Sequence, residues 1–178
     1  GGMGLTGLIT KVKIKLSKIS SSYIFQKNLV TNSIFETIDL LEKNSNYKYS
    51  VAWIDLANIN SLGRGIINLG NFSQTSKLDI PKIKKINFKI EFLNFFLNNI
   101  TIKLFNILYF YKNKFSRNEK IINYFSYFYP LDKIKNWNKI YGKRGFIQYQ
   151  FVIPKKYSND FFEIFLKFIK ERKIISYL

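Results

Sequence analysis

Gln148 and Gln150 stand two apart in the alternating segment Ile147-Gln148-Tyr149-Gln150-Phe151. On a strand both amides would share one face, with Ile147, Tyr149 and Phe151 turned into the core. Each amide carries two N–H donors and a carbonyl acceptor, a set suited to sugar hydroxyls. The same alternation also describes an ordinary exposed polar face. Trp53 alternates with Val51 and Asp55 in another apolar segment, and read alone it is a core indole. Gly1, Gly2, Gly4 and Gly7 cluster ahead of an alternating run, where they would make a tight entry into a strand. The chain has no His and no Cys. Disulfides, thiolate metal sites and Ser-His-Asp chemistry are therefore excluded, along with the commonest general base. Its 11 acidic residues are spread thinly, so an all-carboxylate metal site has no support.

The elements that would position these residues can be read from periodicity. Leu8 to Leu16 sets Val12, Ile14 and Leu16 against Lys11, Lys13 and Lys15, the period of a half-buried strand. Over 31–43, Ile34, Ile38 and Leu41 recur at helical spacing, with Ser33 and Glu36 placed as a capping box. Tyr47 to Asp55 predicts a strand, and Gly63-Arg64-Gly65 turns the chain into another over 66–69. Residues 73–89, Lys-rich around Pro81, predict a long mobile loop. The apolar stretch 92–111 is broken by Asn94, Asn98, Asn99, Lys103 and Asn106, so it reads as core segments parted by a turn at Asn98-Asn99. A lysine at the centre of a membrane span costs about 2.5–3.5 kcal/mol, which argues against a crossing there. Arg117-Asn118-Glu119-Lys120 reads as a charged turn. Residues 147–153 predict a strand stopped by Pro154. Asn159 or Asp160 would cap a helix carrying Phe161, Phe165, Phe168 and Ile169 on one stripe. Ile174 to Leu178 looks like the opening of a further strand. The sum is an α+β domain, an antiparallel sheet with helices on one side.

The 178 residues suffice for one domain with a core, and 47% of them are hydrophobic, which favours a folded chain over a disordered one. The net charge of +18 comes mostly from lysine. Lys, Asn, Ile, Phe and Tyr are abundant together, as an AT-rich genome would encode them, so the charge reads first as a solvated surface. A polyanion or an anionic membrane surface is the functional alternative. A small basic RNA-binding or interaction module without flavin would need a clustered basic face with interleaved exposed aromatics. The lysines instead lie on many elements, and no nucleic-acid partner is expected.

Three blocks in order carry a resemblance: Gly1-Gly2-Met3-Gly4-Leu5-Thr6-Gly7; Tyr49-Ser50-Val51-Ala52-Trp53-Ile54-Asp55 with Leu62-Gly63-Arg64-Gly65; and Phe128-Tyr129-Pro130-Leu131-Asp132 with Trp137-Asn138-Lys139 and Gly145 to Phe151. Together they resemble the FAD-linked oxidases of the vanillyl-alcohol-oxidase superfamily, over essentially the whole chain. The resemblance implies an oxidoreductase that uses FAD to oxidise a sugar hydroxyl to a ketone, on a polyprenyl-phosphate-linked pentose. It makes residues 1–18 the tail of an FAD-binding domain and 19–178 a substrate domain incomplete at its C-terminus. A piece of that extent is expected to be inactive alone and to retain no FAD.

By the same resemblance, Gly2, Gly4, Thr6 and Gly7 would approach the flavin, while Gln148, Gln150, Trp53, Lys139 and Phe128 would bind substrate. Phe128 stands where similar oxidases carry a tyrosine, leaving Tyr127 or Tyr129 to supply the hydroxyl. Lys139 stands where they carry an arginine, which keeps the charge but loses bidentate phosphate recognition. No residue here is assigned as the catalytic base. A partner reductase and a membrane surface are the further partners implied. No signal or membrane-spanning segment is read in these residues, so the expected place is the cytoplasm or the membrane periphery.

Overall fold

The computed structural model describes residues 4–75, 77–83, 85–86, 98–135 and 147–174. Strand β1, Tyr23–Thr31, leads through helix α1, Ile34–Lys43, to β2, Tyr49–Ile54, and β3, Gly65–Phe72. Helix α2, Asn99–Lys114, precedes β4, Glu119–Asn123, and the short α3, Tyr124–Phe128. Helix α4, Ser158–Arg172, follows. The four strands form one antiparallel sheet in the order β2-β3-β1-β4.

Two expected strands are absent and two unexpected ones replace them. Residues 8–16 form no strand, and Leu8, Val12, Ile14 and Leu16 are all exposed. Alternation alone does not make a strand without an edge to pair with, and none of the described strands accepts this segment. Residues 147–153 likewise form no strand. The sheet is built instead on β1 and β4. The inward residues of β1 include Gln26 and Asn28, so its buried face is partly polar and escapes a hydrophobic-period reading. Strand β4 begins with Glu119 and Lys120, which pair with Lys27 and Gln26 of β1. The turn expected over 117–120 is therefore confined to its first two residues.

Register assigns the sheet faces. One face carries Gln26, Asn28, Val51, Trp53, Asn68 and Gly70; the other carries Thr31, Ile67, Leu69 and Ile54. Helix α1 lies on the second face, where the hydroxyls of Thr31 and Thr37 are 2.7 Å apart. Helices α2 and α3 lie on the first, through Trp53 against Tyr109 and Tyr127 over Gly70. The expectation of helices on one side is corrected: both faces carry fully buried aliphatics, Ile24 and Ile66 on one, Ile67 and Leu69 on the other, and each needs cover.

Local signals set the helix ends. Ser33 accepts the Glu36 N–H at 3.1 Å, while the Glu36 carboxylate accepts from the Asn32 N–H at 2.7 Å, one residue before the position a capping box requires. Asn98, expected at a turn, caps α2 by accepting from the Ile100 and Thr101 N–H groups. Helix α4 starts at Ser158, so Asn159 and Asp160 lie within its first turn rather than at a cap. Asp160 there complements the helix dipole. The start of the 73–89 loop is tied to β1. Ser22 N–H donates to the Lys77 carbonyl at 2.8 Å, and the Tyr23 hydroxyl donates to Asp79 at 3.2 Å.

Candidate functional site

The β2–β3 connection and α2 are joined by one buried charge. Asp55 is 0% exposed and Arg64 7%. One Asp55 carboxylate oxygen accepts from Arg64 Nε at 3.1 Å, from its terminal nitrogen at 2.9 Å and from Asn58 at 2.7 Å. The other accepts from the Ala57 N–H at 3.0 Å and from Asn106 of α2 at 2.8 Å. The Arg64 guanidinium lies 4.3 Å from the centre of the Phe110 ring, also on α2. Burial alone would raise the Asp55 pKa; the bonds from Asn58, Asn106, Ala57 and Arg64 outweigh it and hold the carboxyl below its ordinary value. Gly63 makes the return possible at φ +86°, a left-handed conformation that glycine adopts freely.

This clamp fixes α2 against β2, so Tyr109 meets Trp53 edge-on with ring centres 5.0 Å apart. Trp53 Nε1 is buried and has no hydrogen-bond partner among the described residues. At the other end of β2, Tyr49 packs edge-on against Phe128 at 4.9 Å, and Phe128 against Tyr127 at 5.0 Å. The Tyr127 ring crosses the sheet at Gly70, where an added Cβ would come within 2.6 Å of it. Its hydroxyl reaches the Asn68 carbonyl at 3.1 Å and the Tyr49 carbonyl at 3.3 Å. Burial raises the pKa of the Tyr109 phenol; for Tyr127 burial and the neighbouring Tyr49 do the same. Both therefore remain protonated donors at neutral pH.

Two aromatic clusters thus flank one strip of sheet, about 13 Å apart along β2 from the strand rise. Between them lie the exposed Val51 and a chain of amides. Gln26 donates to Asn28 at 2.6 Å and to Asn68 at 2.8 Å, and Asn28 donates to Asn113 of α2 at 3.4 Å. Buried amides persist only where partners satisfy them, and these do so mutually. The sequence reading did not single out Gln26, Asn28 or Asn68. Their signal, polar residues at strand period, looks the same as a solvated face until the pairing partner is known.

The sequence-derived substrate residues are only partly brought together. Trp53 and Phe128 belong to the two aromatic clusters on one sheet face. Gln148 and Gln150 are exposed, on a segment with no strand pairing, and no described contact joins them to Trp53. Their neighbours do not fill the core as expected: Ile147 is 97% exposed and Tyr149 84%. Only Phe151 packs, 5.2 Å from Phe161 and 5.8 Å from Phe165 on α4. Without a paired strand the period of two has no sheet to orient it. Lys139, with Trp137 and Asn138, lies outside the described residues, as does Gly2. Gly4 and Gly7 have positive φ, Thr6 is exposed, and a Cβ on either glycine would meet nothing within 4 Å. Among the described residues, no other group packs against these two glycines. Among the described residues there is no cluster of potential metal ligands and no helix long and apolar enough to cross a membrane.

No family model matches the chain. It is 33% identical over 174 residues to the decaprenylphosphoryl-beta-D-ribose oxidase of Mycolicibacterium smegmatis, an alignment covering 90% of this chain and 37% of that protein. The chain therefore spans less than two fifths of the length of the curated relative it matches. The similarity is thus to part of an oxidase, and the antiparallel sheet flanked by helices is an α+β arrangement.

Proposed function

We propose that this chain forms most of the substrate domain of an FAD-dependent oxidoreductase that oxidises a sugar hydroxyl to a ketone. The substrate we infer is a polyprenyl-phosphate-linked pentose. The observation that carries this reading is the 33% identity to an oxidase of decaprenylphosphoryl-ribose, extending over 90% of the chain. The sheet face supports it. Trp53 and Tyr109 at one end of β2, and Tyr49, Tyr127 and Phe128 at the other, offer apolar ring faces of the kind that pack on a sugar or a prenyl chain.

In this reading a bound flavin would supply the redox chemistry. The residues of this chain bind and orient the sugar. Trp53 and Phe128 hold its apolar faces, Gln148 and Gln150 bond its hydroxyls, and Lys139 neutralises the phosphate. Gly2, Gly4, Thr6 and Gly7 would approach the flavin once the remainder of its domain closes over them. Residues 1–18 then belong to that domain and 19–178 to the substrate domain.

The test is made on the natural full-length protein. Anaerobic mixing with a polyprenylphosphoryl pentose should bleach the flavin absorbance band, and Trp53→Ala should weaken substrate binding without lowering flavin content. A full-length protein that purifies without flavin, or whose flavin no sugar phosphate reduces, would refute the proposal.

A further inference from the structure

The amide chain on the first sheet face ends in an unused donor. Gln26 Nε2 donates to Asn28 at 2.6 Å and to Asn68 Oδ1 at 2.8 Å. The Asn28 amide nitrogen donates to Asn113, whose own nitrogen donates to the Tyr109 carbonyl at 2.8 Å. Each of these amide nitrogens is therefore engaged, except that of Asn68. An amide nitrogen can only donate, so Gln26 obliges Asn68 to turn its oxygen inward and its Nδ2 away. That nitrogen has no partner among the described residues, and the Asn68 side chain is half-buried, so its N–H groups are neither used nor sealed off.

The sheet register places this donor between the two aromatic clusters. Asn68 stands beside Val51 on β2 and Asn28 on β1. Val51 is 55% exposed, so this row is the open floor of the strip. Trp53 lies about 7 Å from Val51 along β2 in one direction and Tyr49, which packs on Phe128, the same distance in the other. Trp53 and Phe128, the two residues of this face assigned to the substrate, offer the floor no donor: the indole Nε1 is enclosed and the phenyl ring has none. The Tyr127 hydroxyl is already engaged by the Asn68 and Tyr49 carbonyls. Val51, Asn68 and Asn28 carry no charge, so the floor suits a neutral hydroxylated ring, with aromatic rings at its ends and an amide beneath it.

We propose that Asn68 is a substrate-binding residue whose Nδ2 donates to a hydroxyl oxygen of a sugar ring lying over Val51, between Trp53 and Phe128. The inference rests on the substrate-domain reading and adds to it the side chain that reads a ring hydroxyl from the sheet. A sugar lacking that hydroxyl leaves the N–H unpaired, so Asn68 also discriminates between sugars.

The test uses the natural full-length protein and anaerobic flavin reduction by a polyprenylphosphoryl pentose and its monodeoxy analogues. One analogue should require a roughly three- to tenfold higher concentration than the parent sugar for half-maximal reduction, the range of one neutral hydrogen bond. Asn68→Ala should weaken the parent sugar by that factor and leave the same analogue unaffected, with the limiting rate and the flavin content unchanged. The discrimination then disappears, whereas loss of a merely structural residue would weaken every sugar alike. Asn68→Ser keeps an oxygen on the Gln26 side, holds the sheet if the alanine variant fails to fold, and should lose the same discrimination. Discrimination that survives in a folded variant, uniform weakening of all the sugars, or a natural protein indifferent to every monodeoxy analogue would overturn the assignment of Asn68 and leave the substrate-domain reading standing. A flavin that no sugar reduces would overturn both.

Discussion

Removing the Asp55 carboxylate should be among the most damaging single changes to this fold. Asp55→Ala leaves the Arg64 guanidinium buried at 7% exposure with its acceptor gone, and strips partners from Asn58, Asn106 and the Ala57 N–H. Breaking a buried ion pair from one side costs about 3–5 kcal/mol, because the remaining charge stays desolvated and unpaired. Asp55→Leu combined with Arg64→Met removes both charges and should cost clearly less than the single change, since no orphaned ion remains. Urea unfolding followed by tryptophan fluorescence, together with far-ultraviolet circular dichroism, would measure both. The carboxyl also gives a pH signature. Burial opposes the charged form but the surrounding hydrogen bonds win, so the folded pKa is depressed. Its contribution to stability is fully present above the unfolded aspartate value of about 3.9 and is lost as the pH falls from there through the folded value. In Asp55→Ala this acid-side loss should be reduced. A cost below about 1 kcal/mol for Asp55→Ala, outside the range expected for a broken buried pair, would refute the clamp. A double variant no more stable than the single one would refute the orphaned-charge reasoning.

Further outcomes follow from the same structure. Gly70→Ala should destabilise by about 1–3 kcal/mol through collision with the Tyr127 ring, as overpacking does, and Tyr127→Phe by about 0.5–1.5 kcal/mol through its lost hydrogen bond; urea midpoints would report both. Gln148→Leu or Gln150→Leu in the full-length protein should lower sugar turnover several-fold to tens-fold, at about 0.5–1.5 kcal/mol per hydrogen bond, with flavin content unchanged. The 178-residue chain mixed with excess FAD and desalted should show no stoichiometric flavin absorbance; a yellow one-to-one complex would mean that the cofactor site has been misplaced.

Much of the sheet was legible where the chain punctuates itself. Gly63-Arg64-Gly65 announced the turn between β2 and β3, and Ser33 marked the start of α1, whereas Asn98, legible only as a turn, caps the unexpected helix α2. Helix α4 followed from its phenylalanine spacing. Other elements stayed hidden because pairing, rather than composition, makes a strand. Residues 8–16 alternate more cleanly than β1 yet have no edge to join. β1 hides Gln26 and Asn28 because Asn68 and Asn113, distant in sequence, complete their hydrogen bonds. At the site, Trp53 and Phe128 could be matched by family pattern, and the fold sets both on one face. The clamp at Asp55 was not foreseen: a single aspartate in a strand carries no mark of the arginine, two asparagines and backbone N–H that converge on it.

The most direct test of the account is anaerobic flavin reduction in the natural full-length protein by a polyprenylphosphoryl pentose. Bleaching of the flavin band with formation of a ketosugar, weakened by Trp53→Ala at unchanged flavin content, is the predicted result. A flavin that stays oxidised with every sugar phosphate offered, or bleaching indifferent to Trp53→Ala, would contradict the assignment of this chain as the domain that holds the substrate.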